Sequence, residues 1–154
     1  LCVSALVTEL NKLLYSNTAP EKFSTFFLGI FDEDTSTLRY TNAGHLPPIL
    51  IRQGQVSLLN VDGMVVGAFP FAQYGESSIV LEPQDILLLY TDGISGPQNE
   101  YGDMYGEERL IEVVRKNAHL NYAGIINAVM DAVQQWTGSP ELQDDMTLLI
   151  ARRV

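Results

Sequence analysis

Two acidic positions in this sequence each adjoin an apolar run of strand length. Asp92 follows the run Ile86–Tyr90 after one further residue, and Asp144 precedes the run that begins at Met146. If the two runs form neighbouring antiparallel strands, the end of one and the start of the other lie at the same edge of a sheet. The two carboxylates would then converge, and converging anions need a cation or a proton. Carboxylate oxygens suit Mg²⁺, Mn²⁺ or Ca²⁺ rather than zinc or copper.

A simpler interpretation of both acidic positions stays open. Asp92-Gly93 has the composition of an ordinary turn, and Asp144-Asp145 that of a solvated loop. Gly93 is expected to break the strand, because glycine tolerates the positive φ that a tight turn demands. Asp145 and Asp103 are the remaining acidic candidates.

Other catalytic patterns find little support in the sequence. His45 follows a glycine in a strand connection and could act as a base or a ligand, although a lone histidine there is more often a structural hydrogen-bond donor. His119 lies in a turn between predicted helices. Ser95 and Ser139 lack the strand-turn-helix elbow that activates a serine nucleophile. No segment matches a phosphate-binding loop or a dinucleotide fingerprint. The carboxylates therefore remain as the candidate site.

The composition predicts one acidic globular domain over residues 1–154. The net charge of -10 argues against nucleic acid and against anionic membrane surfaces as partners, and no apolar run approaches the length of a membrane span. Cys2 is the single cysteine, so an intrachain disulfide is excluded and a reducing cytoplasm is the expected location. The chain opens with Leu1 inside a predicted helix, and we expect it to be part of a longer protein.

The hydrophobic pattern predicts an α+β fold with sheets covered by helices. The predicted elements are a helix over about 2–15, strand pairs 23–31 with 38–41, 49–52 with 56–59 and 76–81 with 85–91, helices from 107 and over about 122–136, and a last strand over 146–151. The loop 92–106 is long enough to suggest a function.

Five segments, in this order, resemble one protein family. They are FFLGIFD (26–32), LRYTNAGHLPP (38–48), LLYTDG (88–93), YGEERL (105–110) and QDDMTLL (143–149). Together they are similar to the SpoIIE/RsbU-like branch of the metal-dependent (PPM) serine/threonine protein phosphatases. The resemblance extends over nearly the whole chain.

The resemblance implies a four-layer α-β-β-α sandwich of two antiparallel sheets flanked by helices, with two Mn²⁺ or Mg²⁺ ions at one edge. It also implies hydrolysis of phosphoserine or phosphothreonine, by a metal-activated water, on a signalling protein such as an anti-sigma-factor antagonist. By motif, Asp92 and Asp144 would be metal ligands. Gly93 would shape the turn that presents Asp92, and Asp145 would support the site without binding metal. His45 belongs to the motif but is not expected to be a ligand.

Two departures from the family pattern qualify these expectations. The family carries further metal-binding acids in an upstream Asp-Val-Ser-Gly-x-Gly-like segment, which these 154 residues do not contain. We therefore expect the N-terminal part of the fold to be missing and this chain alone to be weakly active or inactive. Ser95-Gly96-Pro97 stands where the family usually has a glutamate.

Two rival functions stay open at this point. One is a catalytically degenerate phosphatase fold that acts as a regulatory binding module, and the other is a Ca²⁺-stabilised structural domain. The resemblance also implies an upstream sensor or regulatory domain and leaves a homodimer open.

Overall fold

The computed structural model describes residues 2–154, which form four helices and seven strands. In chain order these are α1 (Val3–Asn17), β1 (Phe26–Asp32), β2 (Thr37–Ala43), β3 (Ile49–Arg52), β4 (Gln55–Leu58), β5 (Ser77–Val80), β6 (Ile86–Tyr90), α2 (Asp92–Ser95), α3 (Glu107–Lys116), α4 (Tyr122–Thr137) and β7 (Leu148–Arg152). The strands form two antiparallel sheets, β1-β2-β5 and β4-β3-β6-β7. The predicted α+β class, with two antiparallel sheets and flanking helices, is confirmed. No helix within residues 2–154 is long and apolar enough to cross a membrane.

Residues 2–47 and 58–83 form one compact unit around the sheet β1-β2-β5. A spacing of four residues along α1 places Val3, Val7 and Asn11 on one buried line of the helix. Apolar side chains from α1, the sheet and the segment before β5 meet in a small core: Val7, Leu14, Phe26, Leu28, Ala43, Val66, Ala72 and Tyr74.

Asn11 is a fully buried polar residue that ties α1 to the segment before β5. Its Nδ2 donates a hydrogen bond to the Phe69 carbonyl (2.8 Å), and its Oδ1 accepts one from the Gly67 N–H (2.8 Å). Gly67 has a φ of 88°, which side-chain-bearing residues rarely adopt. Both polar atoms of the buried Asn11 amide are therefore hydrogen-bonded, as buried polar groups usually are.

Glu76 lies beside the N-terminus of α1 and gives the first unit a pH-dependent contact. The carboxylate accepts hydrogen bonds from the Ser4 N–H (3.0 Å) and from the Cys2 thiol (3.3 Å). The Ser4 main-chain bond is the main cause that lowers the pKa of Glu76 from its ordinary 4.5. A carboxylate with a lowered folded-state pKa stabilises the fold at pH above its unfolded-state pKa and ceases to do so as the pH falls through the lowered value.

We therefore expect Glu76→Gln to lower the melting temperature at pH 7 by about 1–3 °C, since a charged acceptor at a helix N-terminus is favourable but this one is solvent-exposed. The difference from the unmodified protein should shrink as the pH is lowered from 7 to 3, because Glu76 loses its charge as the pH falls through its lowered pKa. Thermal unfolding at both pH values tests this. An equal difference at pH 7 and pH 3 would show that charge is not the cause.

Residues 48–57 and 84–154 form the second compact unit, in which α3 and α4 cover a face of the sheet β4-β3-β6-β7. Consecutive residues Ile86, Leu87 and Leu88 are all buried, so β6 is covered on both faces, as its apolar run predicted. Its core contains Ile49, Ile51, Ile86, Leu88, Tyr90, Ile94, Tyr105, Leu110, Val114, Ile125, Val129 and Val133.

The predicted hairpin of 76–81 with 85–91 is wrong. β5 pairs with β2, whereas β6 lies between β3 and β7 in the other sheet. The segment after Pro83 is held to the second sheet: the Gln84 N–H donates to the Arg153 carbonyl (2.7 Å), and buried Asp85 pairs with Arg52 (2.6 Å). Two adjacent strands in sequence thus diverge because each finds its partners in a different sheet. The other two predicted hairpins, β1-β2 and β3-β4, are confirmed.

Tyr105 carries a buried hydroxyl that has no hydrogen-bond partner within residues 2–154. Its ring packs edge-on to Trp136, with 6.3 Å between centroids, and burial raises the pKa of the phenol. Because an unpaired buried hydroxyl costs roughly 1–3 kcal/mol, we expect Tyr105→Phe to leave the free energy of unfolding unchanged or to raise it by about 1 kcal/mol. Urea unfolding measures this change. A clear loss of stability would show that the hydroxyl is hydrogen-bonded in solution.

Candidate metal centre

The strand that leads to Asp92 and the strand that follows Asp144 are antiparallel neighbours, which meets the condition for both residues to lie at one edge of the sheet. Their pairing continues beyond the strand ends. The Thr91 N–H donates to the Thr147 carbonyl (3.1 Å), and the Thr147 N–H donates to the Thr91 hydroxyl oxygen (3.1 Å). The exit of β6 and the entrance of β7 therefore lie at one edge of the sheet, with an acidic residue following one and preceding the other.

Gly93 allows the main chain of Asp145 to lie directly against the start of α2. A Cβ atom at position 93 would lie 2.0 Å from the Asp145 carbonyl oxygen and 2.7 Å from its carbonyl carbon. The predicted reason for this glycine, a positive φ, is wrong: Gly93 is not among the positive-φ residues, and Asp92 opens a helical turn instead of a tight turn. Close main-chain approach is what requires glycine here.

The three carboxylates at this edge, those of Asp92, Asp144 and Asp145, are exposed. Asp144 accepts a hydrogen bond from the Asp145 N–H through Oδ1 (2.8 Å), and the Asp145 carbonyl accepts one from the Thr91 hydroxyl (3.4 Å). Within the described residues, none of the three forms an ion pair with a lysine, arginine or histidine. Their negative charge is thus available to a solvent cation.

The loop between α2 and α3, residues 96–106, is held in place by contacts from α3 and α4. The Trp136 indole N–H donates to the Asp103 carbonyl (3.0 Å), and the Arg109 guanidinium lies 4.0 Å from the centre of the Trp136 ring. The Asp103 carboxylate accepts a bond from the Asn99 amide (3.4 Å), so this candidate is engaged within its own loop.

Gln143 is a residue of this edge whose role sequence reasoning missed. Its side-chain amide makes two hydrogen bonds to the main chain of Gln98, one in each direction. In the sequence it stands only as the residue before Asp144. No sequence pattern identifies a side chain that pairs with main chain 45 residues away.

His45 takes part in a turn in the other compact unit. Its main-chain N–H donates to Asn42 Oδ1 (2.8 Å), the Asn42 amide donates to the His45 carbonyl (2.9 Å), and Nδ1 of the ring donates to the Leu46 carbonyl (2.8 Å). The carbonyl can only accept, so Nδ1 carries the proton. These contacts agree with the structural hydrogen-bonding role that we predicted for His45.

The oxygen atoms available at this sheet edge are the type of ligand that a hard divalent cation binds. Asp92 and Asp144 supply carboxylate oxygens, and Mg²⁺ is commonly held by one or two carboxylates together with water and substrate phosphate. Within residues 2–154, no three side chains of His, Cys, Asp or Glu are grouped as a metal cage requires. The described residues therefore form no closed metal cage, and Asp92 and Asp144 would make up only part of a metal site.

Comparison with known proteins places this geometry in a family. The family model described as stage II sporulation protein E (SpoIIE) matches residues 1–154. The chain is 27% identical over 132 residues to protein IcfG of Synechocystis sp., covering 85% of this chain and 21% of IcfG. It is 23% identical over 152 residues to phosphoserine phosphatase RsbU of Bacillus subtilis, covering 97% of this chain and 45% of RsbU. The chain thus spans less than half the length of these curated relatives.

A solved structure shares the fold. The SiaA-PP2C domain of Pseudomonas aeruginosa matches with a TM-score of 0.84 at 20% identity, covering 97% of this chain and 60% of that chain. The fold is that of the SiaA-PP2C domain, and with the matched family it confirms the resemblance found in the sequence. The chain belongs to the stage II sporulation protein E (SpoIIE) family, within the SpoIIE/RsbU-like branch of the metal-dependent (PPM) protein phosphatases.

Proposed function

We propose that this chain forms part of a metal-dependent phosphatase that hydrolyses phosphoserine or phosphothreonine on a protein substrate. The observation that carries the proposal is the edge where β6 ends and β7 begins. There, Asp92 and Asp144 stand on segments joined by main-chain contacts. Membership of the SpoIIE family and the PP2C fold support the same reaction class.

In this proposal each residue of the edge has a distinct task. Asp92 and Asp144 hold Mn²⁺ or Mg²⁺, with two ions in the complete domain and further ligands from an acidic segment that these 154 residues lack. Bound divalent ions would supply Lewis-acid activation of the attacking water and neutralise charge on the phosphoryl group. Gly93 permits the close approach of the two segments, and Asp145 contributes its carbonyl to that contact.

The proposed substrate is a phosphorylated signalling protein, such as an anti-sigma-factor antagonist. The name of RsbU, a phosphoserine phosphatase, supports the phosphoamino acid class. Since the chain spans under half of its curated relatives, an attached sensor or regulatory domain is part of the proposal as well.

Two observations favour the rival function, a regulatory binding module without turnover. No third acidic or histidine ligand joins the candidate site within the described residues. Ser95-Gly96-Pro97 replaces the glutamate that usually follows Asp92-Gly93 in the resembling family. Both functions predict a phosphoprotein partner, and only the first predicts release of phosphate.

Metal removal on the complete gene product separates the two functions. Turnover of a phosphoserine peptide should fall by about 10²-fold or more after treatment with EDTA, because the ions supply several kcal/mol of transition-state stabilisation. Added Mn²⁺ or Mg²⁺ should restore it, and Ca²⁺ should not. Turnover that survives complete metal removal would overturn the proposal. Binding of the phosphopeptide with no phosphate release under any metal would favour the binding module.

A further inference from the structure

Gln143 joins the segment that carries Asp144 to the loop that follows Asp92. Its Oε1 accepts a hydrogen bond from the Gln98 N–H (2.8 Å), and its Nε2 donates one to the Gln98 carbonyl (2.9 Å). Both distances are those of well-formed bonds. A planar amide that pairs with both polar atoms of one residue fixes the orientation of the two segments as well as their distance.

The opposite side of Asp144 is fixed by separate contacts. The Asp145 carbonyl lies against Gly93 and accepts a hydrogen bond from Thr91, while Thr147 pairs with Thr91 in both directions. Asp144 therefore sits between two anchored neighbours in the chain. Each anchor connects to the segment 91–98, which also carries Asp92.

The segment 139–145 has no regular secondary structure that could hold Asp144 by itself. Leu142 is 68% exposed, so apolar packing does not anchor the segment on that side either. Within the described residues, the Gln143 amide joins this segment to the loop after Asp92, next to Asp144 on its N-terminal side.

We infer that Gln143 is a positioning residue for the metal centre and sets where the Asp144 carboxylate stands relative to Asp92. The inference rests on the proposed function, since it assigns Gln143 a role in the same site. A side chain that orients a metal ligand typically affects metal affinity by about 10–100-fold. Gln143 is solvent-exposed, which points to the lower end of that range, about tenfold.

The test compares two variants of the complete gene product. Gln143→Met keeps the length of the side chain and removes both hydrogen bonds. Gln98→Ala is the matched control, because Gln98 enters this contact through its main chain alone. Mn²⁺ affinity is measured by titration followed by electron paramagnetic resonance of free Mn²⁺, with kcat at saturating Mn²⁺ and hydrogen exchange of the Gln98 amide as further readouts.

Gln143→Met should weaken Mn²⁺ binding by about tenfold, accelerate exchange of the Gln98 amide, and leave kcat at saturating Mn²⁺ within a factor of about three. Gln98→Ala should match the unmodified protein in all three. Unchanged Mn²⁺ affinity in Gln143→Met, or an equal loss of affinity in Gln98→Ala, would overturn the inference about Gln143 but not the proposed function. If neither Asp92→Asn nor Asp144→Asn weakens Mn²⁺ binding, both the proposed function and the inference about Gln143 are wrong.

Discussion

Asp92→Asn and Asp144→Asn in the complete gene product are each expected to lower kcat/KM for a phosphoserine substrate by about 10²–10³-fold, because each removes the negative charge of a proposed metal ligand. Asparagine keeps the size of the side chain and one oxygen, so the change isolates the loss of charge. Steady-state kinetics at fixed Mn²⁺, followed by a Mn²⁺ titration, measure the effect. High Mn²⁺ should recover part of the activity if the defect is in metal affinity.

The stability of these variants distinguishes a site effect from a folding effect. Neither carboxylate forms an ion pair within residues 2–154, so without metal both variants should unfold at the temperature of the unmodified protein or slightly above it. Added Mn²⁺ should raise the melting temperature of the unmodified protein only, since a ligand stabilises the state that binds it. Asp131→Asn, an exposed position on α4, is the control and should change neither quantity. Full activity in Asp92→Asn would refute the assignment of this residue.

Gly93→Ala is expected to abolish tight Mn²⁺ binding and to lower the free energy of unfolding by about 3 kcal/mol, which is the cost of severe overpacking. The added methyl group would stand 2.0 Å from a main-chain oxygen, which cannot rotate away as a flexible side chain could. Either α2 or the segment 144–146 must then move, and one of the two acidic residues moves with it. Chemical unfolding and Mn²⁺ titration give the two readouts.

Ser95→Ala, in the same short helix, is the control for Gly93→Ala and should behave as the unmodified protein. If Gly93→Ala retained native stability and Mn²⁺ affinity, the close packing between Gly93 and Asp145 would not be needed for the site. A loss of stability without any change in metal affinity would separate the two roles that we assign to Gly93.

The sequence predicted the candidate site through features that are local in the chain. An unbroken apolar run such as Ile86–Tyr90 indicates a strand covered on both faces, and an acidic residue just beyond it must lie at a sheet edge. Which sheet a strand joins is a different matter, because partner choice depends on contacts far apart in sequence. The strand β5 has the expected position but pairs with β2, and no side-chain alternation distinguishes that partner from β6.

Two finer features, the role of Gly93 and the buried face of α4, also depend on contacts between residues far apart in the sequence. The role of Gly93 comes from the carbonyl of Asp145, 52 positions later, and not from its own φ. In α4, helical spacing predicts that Ile126, Met130, Val133 and Trp136 face the core. Val133 is buried and Met130 and Trp136 pack against the core, but Ile125 and Val129 are the fully buried residues in place of Ile126. A helical stripe predicted from spacing alone can rotate by one residue, because the neighbouring elements decide which side is covered.

Asn11 has a consequence for how α1 can move. Its amide serves one donor and one acceptor on the main chain of Gly67 and Phe69. Sliding the helix by one turn would bring Val7 or Tyr15 to that place: valine has no polar side-chain atom, and the tyrosine hydroxyl stands at the far end of a larger side chain than the Asn11 amide. The two hydrogen bonds of Asn11 therefore fix one register of α1 against the segment around Gly67. Any displacement of α1 must carry that segment along with it.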